Sequence, residues 1–255
     1  DDGGGGAGRS EVMLAFLAGC FVVAALLAIG EALLPATADC PRSRWESFAL
    51  TYLVGSAAVV VCGSAILAVG LPFVAVAAVV LVLGLLAILM TLRRGSQLIL
   101  VPEVELARRP GFAPLTGALL LALGVGSVLA SIAMPINEFD PMLHFAYKGK
   151  ILAELGSPLD EAMVGLVDAD GQPRAFGRII THPNYPLGVP ILEALVSVLG
   201  RGWHDRWIQL PLAFWALCLP AAVFFGLRPC GKRAARAGAL VAAVTPILYE
   251  RNFLE

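Results

Sequence analysis

Glu138 and Asp140 stand two residues apart in Asn137-Glu138-Phe139-Asp140-Pro141-Met142-Leu143-His144, just after a long apolar run ends. Two carboxylates and an imidazole so close together can do acid–base work. Carboxylates at i and i+2 do not face each other on a helix. In an irregular segment at a helix end they can converge on one cation or one substrate hydroxyl. A carboxylate partly desolvated near a membrane has a raised pKa and becomes a useful general base. Lys148 and Lys150 follow, and ammonium groups suit an anionic phosphate. The chemistry indicated is a carboxylate working beside a phosphate-bearing, lipid-linked substrate. The plainer alternative is that Glu138 and Asp140 cap or solvate the start of a surface helix, with both lysines in solvent.

Further polar residues sit nearby. His182-Pro183-Asn184-Tyr185-Pro186 puts several polar side chains on a stiff backbone ahead of an apolar stretch. It forms either a substrate wall or a rigid entry to that stretch. Glu193 lies inside the apolar stretch, as a satisfied structural carboxylate or as part of a cavity. Arg251 can hold a phosphate, though a terminal arginine also snorkels to the membrane surface. Asp168-Ala169-Asp170-Gly171 partly matches a calcium loop but lacks the later ligands, and reads as a turn. Cysteines at 20, 40, 62, 218 and 230 show no zinc spacing and no disulfide framework. Cys20, Cys62 and Cys218 read as packed small side chains.

The elements that must position these groups are membrane helices. Mean hydropathy is +0.83, with 58% hydrophobic and 15% charged residues. The apolar residues come in blocks long enough to cross a hydrocarbon core of about 30 Å. The expected fold is all-α, a polytopic helical membrane protein with a large extracytoplasmic loop containing juxtamembrane helices. Residues 1–11 form a Gly-rich disordered tail. Four spans fill 12–133, at about 12–34, 48–69, 73–92 and 113–133, with Gly70 and Pro72 turning the second into the third. Gly55, Ser56, Gly63 and Ser64 suit close helix packing. Residues 134–206 form the loop, and 207–255 hold two more spans. The chain begins without Met and ends just past an apolar run, so it reads as a piece of a longer one.

Charge gives the orientation. Arg93, Arg94, Arg108 and Arg109 mark a cytoplasmic loop by the positive-inside rule. The fourth span then runs outward and delivers Glu138 and Asp140 to the extracytoplasmic side. Counting back puts the loop with Arg42 and Arg44 inside and the acidic N-terminus outside. If residues 185–199 crossed, Arg228, Lys232, Arg233 and Arg236 would lie outside, against the rule. That stretch is short, holds Glu193 and is interrupted by Pro190, so it reads as a juxtamembrane helix with Trp203 and Trp207 as interface anchors. The last run returns Glu250 and Arg251 to the side of Asp140. Within the loop, 145–155 is helix-compatible and ends at Gly156, a suitable C-cap, with His144, Lys148, Ile151 and Leu155 on one side.

A span, an outward Glu138-Phe139-Asp140, a lysine-bearing helix and then His182-Pro183-Asn184-Tyr185-Pro186-Leu187-Gly188 opening another helix form a recognisable order. It resembles the GT-C membrane glycosyltransferases, the class that includes protein O-mannosyltransferases, lipid A aminoarabinose transferases and oligosaccharyltransferases. In that class the first large outer loop carries an acidic motif just after a span, and a Pro-Tyr-type motif precedes a later helix of the loop. The resemblance covers about residues 113–255. Pro246-Ile247-Leu248-Tyr249-Glu250-Arg251-Asn252 looks like the approach to the class's second outer acidic site. The three earlier spans are extra relative to the simplest members.

The resemblance implies inverting transfer of a sugar from a polyprenyl-phosphate donor to a glycan, lipid or protein acceptor. It makes Asp140 the base or acceptor-positioning carboxylate, with Glu138 assisting. His144, Lys148, His182, Asn184, Tyr185, Glu250 and Arg251 become the substrate-binding residues. A divalent cation, Mg or Mn, stays open, with Glu138 and Asp140 as its ligands if one is used. The expected location is the cytoplasmic (inner) membrane with the active side extracytoplasmic, and no nucleic acid is a partner. The alternatives are a transporter or lipid flippase, or a non-catalytic membrane subunit. Transporters hide ionisable residues at mid-membrane, whereas here the spans are nearly free of charge.

Overall fold

The computed structural model describes residues 5–34, 44–94, 146–156 and 187–250, with isolated positions between 122 and 133. Among the described residues the regular structure is helical and no strand occurs, in line with the expected class. The helices are α1 (Gly5–Leu33), α2 (Arg44–Ala68), α3 (Phe73–Arg94), α4 (Tyr147–Leu155), α5 (Gly188–Leu199), α6 (Leu210–Gly226) and α7 (Lys232–Glu250). A single 3-10 turn, Arg228–Cys230, precedes α7.

Among the described residues, three stretches are long and apolar enough to cross a membrane: Ser10–Leu33, Trp45–Ala68 and Phe73–Arg93. Less than half of each is buried, 44%, 39% and 33% in that order. The third turns Val74, Val82, Leu83, Leu86, Leu89 and Leu92 outward. Contiguous apolar surface of that kind is an association hazard in water and an ordinary surface in lipid. The same reasoning corrects the cysteine expectation, since Cys218 is buried but Cys20 and Cys62 are exposed. α1 also reaches back to Gly5, into the stretch expected as a disordered tail, because extending a nucleated helix costs little. Most of the fourth expected span lies outside the described residues. α6, at 17 residues with Pro220 inside it, sits at the short end for a crossing helix.

The chain forms two compact units. The first comprises Asp1–Val22, Ala57–Leu83 and Met134–Pro211. Here α2 ends on Gly70, at φ +81°. The Gly70 N–H donates to Leu67 O at 3.0 Å and the Leu71 N–H to Ile66 O at 3.2 Å, the paired bonds of a Schellman stop. Pro72 blocks continuation. α3 starts at once, and the Phe73 N–H, one of the donors that a helix start leaves unpaired, donates to Gly156 O at 2.6 Å. Gly156 in turn closes α4 at φ +78°, its own N–H donating to Leu152 O at 3.1 Å.

α5 is the centre of this unit. A Cβ on Gly63 would meet Val76 Cγ1 at 3.1 Å and Ile191 Cγ2 at 3.3 Å, and one on Gly200 would meet Ala15 Cα at 2.9 Å. Eight successive residues, Pro190 to Ser197, are buried. A helix lying on a membrane surface shows one apolar side and one polar side. α5 is instead enclosed by protein all round, as its almost uniformly apolar sequence allows. Its twelve residues rise about 18 Å, short of a hydrocarbon core.

The second unit comprises Val23–Ser56, Gly84–Ala133 and Leu212–Glu255. Its tightest contact joins α1 and α2 through glycine. A Cβ on Gly30 would fall on Thr51 O, and one on Gly55 would fall on Leu26 O. The two backbones therefore touch, which is the use of small residues between membrane helices. Tyr52 is fully buried and packs against Phe214, ring centroids 5.6 Å apart, and the Ser56 hydroxyl donates to Tyr52 O at 2.8 Å.

Candidate functional site

α4 and α5 pack side by side, and polar groups are trapped between them. α4 is an amphipathic helix of nine residues whose buried side is Lys148, Gly149, Ile151 and Leu152. Lys148 is only 1% exposed, where the sequence pointed to a solvated charge. Leu155, expected on the same side, is 52% exposed. The buried side is centred on residues 148–152 because α5 covers that side. Withdrawal from water lowers the Lys148 ammonium pKa below the ordinary lysine value. Lys150 keeps the solvated role, exposed and 3.9 Å from Glu154 one turn on, a pair that contributes little.

Across the interface stands Glu193 of α5, 2% exposed. Its Oε2 has no hydrogen-bond partner among the described residues. Of the two roles expected for Glu193, satisfied structural carboxylate or part of a cavity, the described residues supply no partner for this oxygen. Burial pushes the carboxyl pKa up to about 8, since the charged form loses its hydration. At neutral pH such a group is largely a neutral acid that can donate a proton. It comes so close to α4 because residue 149 has no side chain. A Cβ there would lie 2.9 Å from Glu193 Oε2 and 3.2 Å from Trp203 Cη2.

One turn further along, the groove between the helices opens into a cleft of about 320 Å³. Ala153 and Glu154 line it from α4, Ser197 and Val198 from α5, and Arg201, Gly202 and Trp203 from the segment after α5. Trp203 is half-buried, and its Nε1–H donates to Asp205 Oδ1 at 2.8 Å. Trp207 was expected as an interface anchor. It packs edge-on against Phe16, centroids 4.8 Å apart, and its Nε1 is buried without a partner among the described residues.

Glu138, Asp140, His144, His182, Asn184, Tyr185 and Arg251 lie outside the described residues, as does the side chain of Glu250, the last residue of α7. Lys148 is thus the expected site residue whose side chain has a described place. Among the described residues no group of three His, Cys, Asp or Glu side chains could hold a metal ion. Gly149 and Arg201 are residues that sequence reading passed over. Each had a faint signal: a glycine inside a helix marks close approach, and Gly200-Arg201-Gly202 marks an unusual turn.

No family model, no curated protein and no solved structure matches the chain.

Proposed function

We propose that this is a polytopic helical protein of the cytoplasmic membrane that transfers a sugar from a polyprenyl-phosphate-linked donor to an acceptor at the extracytoplasmic face. The observation that carries the reading is the packing of α4 on α5. α4 begins seven residues after Asp140, and α5 begins on Gly188, the last residue of the His182–Gly188 motif. Seven residues of chain reach at most about 25 Å. Both motifs are therefore tethered to one packed helix pair although some forty residues separate them in sequence.

The hydrogen bond from Phe73 to Gly156 supports the orientation. It joins the α2–α3 turn to the end of α4, two places that the charge rule independently puts on the outer side. The ionisable residues of the three long apolar stretches, Glu11, Glu31, Glu46 and Arg93, lie at their ends. That distribution favours chemistry at a surface over a transport path through the bilayer.

In the reaction, the Asp140 carboxylate takes the proton of the acceptor hydroxyl, with Glu138 beside it. The hydroxyl oxygen attacks the anomeric carbon from the side opposite the phosphate. The bond from that carbon to the phosphate oxygen breaks, its electron pair leaves with polyprenyl phosphate, and the configuration inverts. The test is Asp140→Asn in the full-length protein, assayed in membrane vesicles with a polyprenyl-phosphate-sugar. Transfer is lost while membrane insertion is unchanged; full activity in the variant rejects the assignment.

A further inference from the structure

The cleft at the end of the α4–α5 groove carries a second conclusion, which deepens the glycosyl-transfer reading and takes its ligand class from it. α2 and α5 stop in the same way. In each, the residue after the C-cap is in the left-handed region and two N–H groups turn back onto the last carbonyls. α2 uses Gly70, at φ +81°. α5 uses Arg201, at φ 60°, with the Arg201 N–H on Val198 O at 3.3 Å and the Gly202 N–H on Ser197 O at 2.9 Å. Arg201 is the non-glycine residue with positive φ among the described residues. Glycine is the residue that takes this conformation without strain, and it stands on either side of Arg201. An arginine at the strained position gives up stability and places its side chain among the residues lining the cleft.

Other lining groups suit the same kind of ligand. The Trp203 indole is bonded through its N–H to Asp205, and its far edge lies beside Gly149, where a Cβ would stand 3.2 Å from Cη2. A fixed indole is a flat apolar wall for the face of a sugar ring. Ser197 and Glu154 bring a hydroxyl and a carboxylate, which bond to sugar hydroxyls. Glu154 is partly balanced by Lys150, and among the described lining residues Arg201 is the cation. A volume of about 320 Å³ is at the small end for ligand sites, enough for one monosaccharide and its phosphate.

We propose that this cleft binds a sugar phosphate, with Arg201 holding the phosphate, Trp203 against the sugar ring, and Ser197 and Glu154 on its hydroxyls. A planar guanidinium suits phosphate oxygens because it donates two parallel hydrogen bonds. The same headgroup can come free or attached to a polyprenyl chain.

The experiment titrates the purified full-length protein with glucose 1-phosphate by calorimetry, with glucose and inorganic phosphate as separate probes. Polyprenyl-phosphate-glucose in nanodiscs forms the lipid-linked arm. Wild type binds glucose 1-phosphate more tightly than either part. Arg201→Gly weakens that binding about tenfold or more while its melting temperature stays the same or rises, so misfolding cannot explain the loss. Trp203→Leu weakens glucose 1-phosphate and leaves inorganic phosphate unaffected. Tighter binding of the polyprenyl compound than of glucose 1-phosphate assigns the site to a lipid-linked ligand, and equal binding assigns it to the free one. Equal affinity of wild type and Arg201→Gly for glucose 1-phosphate, or no binding by wild type, overturns the proposal and leaves Arg201 a solvated surface charge. Asp140→Asn binds as wild type does. If that variant also keeps full transfer activity, the glycosyl-transfer assignment falls while the binding site stands.

Discussion

Gly149 lets Glu193 reach α4: a Cβ at residue 149 would stand 2.9 Å from Glu193 Oε2. Few substitutions put so small a change against so exacting a neighbour. Gly149→Ala gains about 1 kcal/mol of helix propensity but overpacks the interface, which costs about 1–3 kcal/mol. A net loss of thermal stability in detergent is expected. In a Glu193→Ala background the same change is expected to be neutral or stabilising, because the nearest obstacle has gone. A double-mutant cycle measures that coupling, and additive effects reject it.

Glu193 also makes stability depend on pH. Its pKa is about 8 when folded against an ordinary 4.5, so between those values the folded state holds a proton that the unfolded state has lost. Stability then falls as pH rises from about 4.5 to about 8, and levels off beyond. Glu193→Gln removes this slope, and at pH 8 it is expected to melt a few °C above wild type. Melting curves from pH 5 to 9 check this, and parallel slopes for the two proteins would count against it.

Gly30 and Gly55 hold α1 and α2 in backbone contact. Alanine at either position places a methyl group on a carbonyl oxygen of the other helix. Each single variant is expected to lose about 3 kcal/mol or more, the range of severe core overpacking. Gly126→Ala is the control, since a Cβ there meets nothing within 4 Å. Comparable melting temperatures for all three variants would refute the contact.

Gly156 is a conformational case. A Cβ there would meet only ordinary contacts, 3.7 Å from Pro72 Cβ, but φ is +78°. Gly156→Ala is therefore expected to cost about 1–2 kcal/mol from backbone strain alone. Gly156→Asn is expected to cost less, because asparagine visits this region more readily. Chemical unfolding of the two variants tests the order.

Gly202 offers a probe of sidedness. It is exposed, and a Cβ there meets nothing within 4 Å, so Gly202→Cys is tolerated. In a background lacking the native cysteines, a membrane-impermeant thiol reagent added to whole cells is expected to label it. Labelling only after the membrane is opened, from the cytoplasmic side, refutes the orientation proposed above.

Much of the helical framework was legible because it follows from local chemistry. Gly70 and Pro72 stop one apolar run and begin the next whatever surrounds them, and Gly156 closes α4 for the same reason. Pro190 and Glu193 marked this stretch as short for an ordinary span, and α5 runs for twelve residues. The role of Gly55 in close packing was legible from its size, but its partner was not, because nothing local to α2 points to Gly30. Lys148 was misread because a lysine is solvated by default, and its burial depends on the helix that covers it.

The sequence by itself determined the helices and where they stop, because apolar block length, glycine, proline and charge act within a few residues. It also gathers all three histidines into one stretch, residues 134–206. Only the tertiary structure decided which side of α4 is covered, that Glu193 Oε2 is buried without a partner among the described residues, and that Arg201 rather than a glycine takes the strained position beside a cleft. Those facts depend on which surfaces meet across long separations, and hydrophobic burial, being non-directional, does not write the pairing into either partner alone.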